Sequence, residues 1–148
     1  MATAAFHAFN CFVEDVCEKK HNLGSDVLKV MLTLTAPTAA STVYTGGLAS
    51  TELANGAGYT TGGATASIGT STQTAGTYKL VLNDATWTAS AAMGPFRYAV
   101  LYNSTNTADN KPLIGWWDNG VNVTLANTEQ FTVDYDAAAG VLTITSPP

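Results

Sequence analysis

Two dense apolar segments constrain this chain most: Gly94-Pro95-Phe96-Arg97-Tyr98-Ala99-Val100-Leu101-Tyr102-Asn103 and Pro112-Leu113-Ile114-Gly115-Trp116-Trp117-Asp118. They stand in a sequence otherwise built of Ala, Thr, Gly and Asn. Neighbouring residues of a strand point to opposite faces of its sheet, so Trp116 and Trp117 cannot share one core or both face water. Either the sheet is buried on two faces, or one face is core and the other is a contact surface.

The background favours strand. Charged residues are 11% of the 148 and hydrophobic ones 46%, and the abundance of Thr suits pleated sheet better than helix. Such a length is ordinary for one domain with its own core. Val27 to Leu34 reads as a strand with Leu28, Val30, Leu32 and Leu34 on one face, ended by Pro37. Further strands are expected at 64–70, 77–82, 85–89, 96–102, 113–117, 121–125, 131–135 and 141–145. Short strands at close spacing, parted by Gly, Asn and Asp, predict an all-β fold, an antiparallel β-sandwich or jelly roll of about 8 to 9 strands. Asp118-Asn119-Gly120 and Asp136 to Gly140 read as hairpin turns. Residues 38–63 read as a long loop with a short helix around Ala49 to Ala54.

Residues 1–20 read as an N-terminal arm or short helix ahead of an expected single β-sandwich domain, 21–148. In the arm, Phe6, Phe9, Val13, Val16 and Cys17 fall at helix-like spacing while partly alternating, so periodicity does not decide between helix and strand. Its phenylalanines suit packing on their own domain or reaching a neighbouring subunit.

Charge excludes several classes. The six basic residues are scattered and the net charge is -5, so no phosphate-tracking stripe exists and nucleic-acid binding is not expected. No basic n-region precedes an apolar run, and the apolar stretches are too short and interrupted to cross a bilayer, so a soluble product made in the cytoplasm is expected. Cys11 and Cys17, spaced C-x5-C, match neither zinc nor redox motifs and are expected as free thiols. So few charges leave a surface of neutral Thr, Ser, Asn and Ala, which suits a protein held at fixed positions in an assembly, although a secreted β domain would carry the same surface.

Catalytic constellations are thin. His7 and His21 are the only imidazoles, without a G-x-S-x-G elbow or Cys-His signature beside them. Asp134 and Asp136, with Asp84, offer paired carboxylates for glycoside chemistry or a two-oxygen start on a Ca2+ site. An Asx turn at Asp136 and an outward Asp134 account for them more simply. The Gly-rich run 55–63 lacks the Lys-Ser/Thr of a phosphate loop. No catalytic residue, cofactor or metal ligand is expected. Strand aromatics such as Trp87, Phe96, Tyr98, Tyr102 and Phe131 suit a core, but an outward Trp116 or Trp117 suits an interface anchor.

Several strings together resemble a family of small virion proteins of tailed bacteriophages. They are Asn22 to Thr33 with Ala36-Pro37, Gly58-Tyr59-Thr60 through Gly63-Ala64, Gly94 to Tyr102, Leu113 to Asp118, Phe131 to Tyr135 and Gly140-Val141-Leu142. The resemblance implies a non-enzymatic capsid decoration (cement) protein on the outer capsid surface of the virion, or a head-fibre relative. It implies binding to the major capsid protein and self-association, as a trimer. Interface residues under this reading are Phe96, Tyr98, Trp116, Trp117, Phe9 and Phe12, with the arm or the loop 38–63 gripping the shell. The rival readings are a tail or fibre component, a carbohydrate-binding or carbohydrate-processing jelly roll using Asp134 and Asp136, and a free immunity or regulatory factor.

Overall fold

The computed structural model describes residues 4–147; the first three residues of the expected arm and Pro148 lie outside them. Strand makes up 44% of the described residues and helix 8%, so the fold is all-β as the composition and alternation require. In chain order the elements are β1 (His7–Ala8), α1 (Cys11–Cys17), β2 (Leu28–Thr33), a 3-10 turn (Leu48–Thr51), β3 (Ala64–Thr65), β4 (Ile68–Thr74), β5 (Thr77–Leu82), β6 (Ala85–Thr88), β7 (Met93–Asn103), β8 (Leu113–Leu125), β9 (Gln130–Val133) and β10 (Leu142–Thr145).

The strands form a five-stranded sheet of order β1-β8-β7-β2-β3, a three-stranded sheet β10-β5-β4 and a two-stranded sheet β6-β9. Every pairing is antiparallel. One core joins all three: Leu28, Val30 and Leu32 of β2 and Phe96, Ala99 and Leu101 of β7 meet Leu80 and Leu82 of β5 and Ala85 and Trp87 of β6. The large sheet is thus one layer and the two smaller sheets the other, a sandwich-like arrangement.

The sequence pattern explains β2 in part. Leu28, Val30 and Leu32 face the main core, but Met31 on the opposite side is also fully buried, because the strand is central and covered on both faces. Leu34, grouped with them by alternation, lies beyond the strand end and is 44% exposed.

Both expected hairpin turns are corrected. Asp118-Asn119-Gly120 has turn chemistry, with the Gly120 N–H donating to Asp118 Oδ1 at 2.7 Å and Gly120 at φ 82°. Yet the chain does not reverse there. Tyr98 pairs with Asp118 and Phe96 with Val123, so two steps along β7 match five along β8. The surplus residues form a bulge inside one long strand, and the expected strands 113–117 and 121–125 are a single β8. Asp136 does cap its own turn, accepting the Ala138 and Ala139 N–H groups at 2.8 and 2.9 Å. The flanking strands nevertheless diverge, β9 to β6 and β10 to β5, so this turn changes sheet instead of closing a hairpin. A true two-residue hairpin joins β4 to β5 through Ala75 and Gly76, both at positive φ (48° and 81°).

The ambiguous arm is both strand and helix: β1 pairs with β8 at the edge of the large sheet, then α1 follows. The expected short helix at Ala49 to Ala54 is the 3-10 turn Leu48–Thr51.

Candidate interaction surface

The second face of the large sheet is covered by the chain itself. Trp116 lies between Phe9, with ring centroids 4.6 Å apart, and His7, at 5.2 Å. Farther along the same face Tyr102 stacks on Tyr44 at 4.2 Å with planes 2° apart. Tyr44 is held there by loop 38–63, whose Thr42 carbonyl accepts the Leu113 N–H. Met31, Val100 and Leu113 complete this second cluster. Trp117, on the opposite side, packs on Phe6 and Tyr135 at 5.1 and 5.3 Å in the main core.

Three residues proposed from sequence as interface residues are therefore core residues of the protomer. Phe96 is fully buried, edge-on to Phe131 at 4.8 Å; Phe9 is 1% exposed; Phe12 sits 5.5 Å from the His21 ring. Their apolar surface is already spent inside the chain. Trp116, Trp117 and Tyr98 are half-buried. Tyr98 lies under the Arg97 guanidinium, 5.4 Å from its centroid.

One carboxylate ties the long loop to the sheet. Glu52 accepts hydrogen bonds from Tyr44 Oη and Tyr59 Oη, both at 2.6 Å, and from the Gly62 N–H at 2.7 Å. Tyr59 Oη in turn accepts the Leu32 N–H at 3.0 Å, and Tyr102 Oη donates to the Gly62 carbonyl at 2.7 Å. Burial and the Glu52 charge push both Tyr44 and Tyr59 hydroxyls well above the ordinary phenol range, so they remain donors. The adjacent Gly63, at φ 70°, leaves no room for a side chain: a Cβ there would meet the Val30 carbonyl oxygen at 1.9 Å.

The groups with catalytic potential do not converge. His7 is exposed beside Trp116, whereas His21 is 7% exposed, behind Phe12, with Nδ1 3.3 Å from Asn103 Nδ2. Asp26 is committed to Asn103 Nδ2 at 2.6 Å. Asp134 is exposed and Asp136 is occupied by its backbone turn, both beyond the end of β9. Asp84 accepts the Tyr135 N–H at 3.0 Å. Among the described residues no group of three or more His, Cys, Asp or Glu is arranged to hold a metal ion.

A shallow cleft of ≈ 380 Å³ is lined by Cys11, Glu14, Asp15, Lys20, Asp109 and Asn110 among others. Lys20 bridges Asp15 and Glu18 at 2.9 and 3.0 Å. Burial, reinforced by the Asp15 charge, pushes the Cys11 thiol up to about 11, so it is a poor nucleophile at neutral pH. Both cysteines are free.

Charge on the outward surface is uneven, and the bulge of β8 and two strands of the three-stranded sheet carry none. The bulge residues Asn119, Gly120, Val121 and Asn122 are exposed, Val121 to 63%. β4 and β10 carry no charged side chain either. Beside the bulge, Arg97 and Asp118 pair in bidentate fashion at 2.7 and 2.8 Å, which with the Gly120 N–H holds the Asp118 carboxyl at about 2. The sequence signal for this surface was the absence of charge; the bulge was concealed as a turn.

The chain is thus an all-β, sandwich-like protein with two aromatic layers and neutral outer edges. Comparison with protein-family models, with curated proteins and with solved structures gave no match. Among the described residues no helix is long and apolar enough to cross a membrane.

Proposed function

We propose that this chain is a structural subunit of a tailed-bacteriophage virion, a non-enzymatic decoration (cement) protein bound as a homo-oligomer to the major capsid protein on the outer head surface. The observation that carries this reading is the chemistry of the outward strands and bulge: Ile68–Thr74, Leu142–Thr145 and residues 119–122 carry no charged side chain. Depletion of charge is the compositional mark of surface that becomes buried between proteins. The resemblance of the strings Gly94 to Tyr102 and Leu113 to Asp118 to those of phage virion proteins supports the same assignment. A rigid sandwich with both faces of its large sheet filled suits a clamp, which stabilises a lattice by contacts that exist only when neighbouring shell subunits are assembled.

Immunogold electron microscopy of virions containing this protein tests the reading. Label over the head supports decoration. Label on the tail replaces it with a tail or fibre subunit, and protein found free of particles refutes a virion role. Glycan turnover lost in the double substitution Asp134→Ala, Asp136→Ala would instead establish a carbohydrate-processing enzyme.

A further inference from the structure

We infer that the outer edge of β4 is a pairing site for the same strand of a second copy of this chain, joining two three-stranded sheets into one of six strands across a two-fold axis. The edge strands of this fold are very unequal. β1 and β3 have two residues each, and β6, β9 and β10 four, with β10 followed closely by Pro147. Short edges and nearby prolines are the ordinary means of preventing unwanted strand addition. β4 is the exception, with seven residues, Ile68-Gly69-Thr70-Ser71-Thr72-Gln73-Thr74. It has neither Lys, Glu, Asp nor Pro, and its one irregularity lies at the Ile68 end. Among the described residues β4 pairs only with β5, so its other edge presents unpaired backbone donors and acceptors.

The side chains point to a second copy as occupant. Ser71 lies opposite the buried Leu80, which places Ser71 on the inner face and Thr70, Thr72 and Thr74 on the outer one. This chain already joins its own strands by outward threonines: Thr86 and Thr132 hydroxyls meet at 2.8 Å across β6 and β9, and Thr77 and Thr145 at 3.1 Å across β5 and β10. On β4, Thr70 and Thr72 instead face Val81 and Lys79. Antiparallel pairing about Thr72 sets Thr72 against its own copy and Thr70 against Thr74, repeating that chemistry without bringing like charges together. A two-fold axis makes the contact self-complementary and closed, so it does not propagate into fibres.

The inference does not depend on the virion reading, and it conflicts with the trimer that the family resemblance implies. The test is the solution mass of the purified chain and of two variants, T72K and T72E, by sedimentation equilibrium, with circular dichroism confirming that each variant folds. Thr72 is exposed, so both substitutions leave the core untouched. The expected mass of the unmodified chain is twice 15.4 kDa. Each variant alone sediments as a single chain, because like charges then face each other, and mixing the two restores the double mass. A single-chain mass for the unmodified protein overturns the inference. So does a three-chain mass insensitive to both substitutions, which leaves the virion reading standing.

Discussion

The ring of Phe9 closes over Trp116 at 4.6 Å, and by this contact the N-terminal arm seals the outer face of the large sheet. Phe9 is 1% exposed although it lies in a short segment between β1 and α1. Replacing Phe9 with Ala removes a ring from a packed cluster and is expected to cost about 3 kcal/mol. A denaturant midpoint measured for F9A against the parent checks this. An unchanged midpoint would show that the arm contributes nothing to the fold.

Glu52 is the one acceptor shared by two tyrosines and a loop amide. Glu52→Ala leaves those donors without their partner and is expected to destabilise the chain by about 2 kcal/mol. The loss should be local, with faster hydrogen exchange at Leu53 to Gly63 and little change at Leu80 or Leu101. Uniform acceleration across the chain would argue against the loop as a separately anchored unit.

Burial lowers the pKa of His21 below its ordinary value of 6.5, outweighing the opposing charges of Asp15 and Asp26. The unfolded chain therefore takes up this proton more readily than the folded one. Stability from this group is complete above about 6.5 and declines as pH falls below it. The midpoint of urea unfolding should drop between pH 7 and pH 5 more steeply in the parent than in H21N. Equal slopes would show that His21 does not titrate on unfolding.

The two thiols should separate kinetically. Cys17 is exposed, whereas Cys11 is half-buried, with its pKa near 11 and its sulfur facing the Ser41, Thr42 and Leu113 carbonyls. At pH 8 iodoacetamide should modify Cys17 first, with Cys11 following at least tenfold more slowly or only after denaturation. Peptide mapping by mass spectrometry reads the order directly.

Alternation made the strand content legible because it depends only on local sequence. Leu28, Val30 and Leu32 fall on one face and Trp116 and Trp117 on opposite ones, as period-two reading assigns, whereas Phe96 and Leu101, five residues apart, share the main core only because the register of β7 shifts between Phe96 and Tyr98. What alternation cannot reveal is which surface covers a face. Phe9 and Tyr44 belong to segments with weak periodicity, and their burial follows from long-range contacts with β8 and β7. The bulge was hidden for a similar reason: Asp118 and Gly120 make the same local hydrogen bond whether the chain reverses or merely detours. The interface residues drawn from apolar strings were misplaced where the chain supplied its own partner, as at Phe9, Phe12 and Phe96.

Since Asp118 and Val123 bracket the detour and both remain paired to β7, the registers on its two sides are set independently. Extra residues spliced between Asn119 and Gly120 would lengthen the excursion without shifting either flank. An insertion there would leave the protomer folded, since its two aromatic layers are built elsewhere, while obstructing any contact made through residues 119–122.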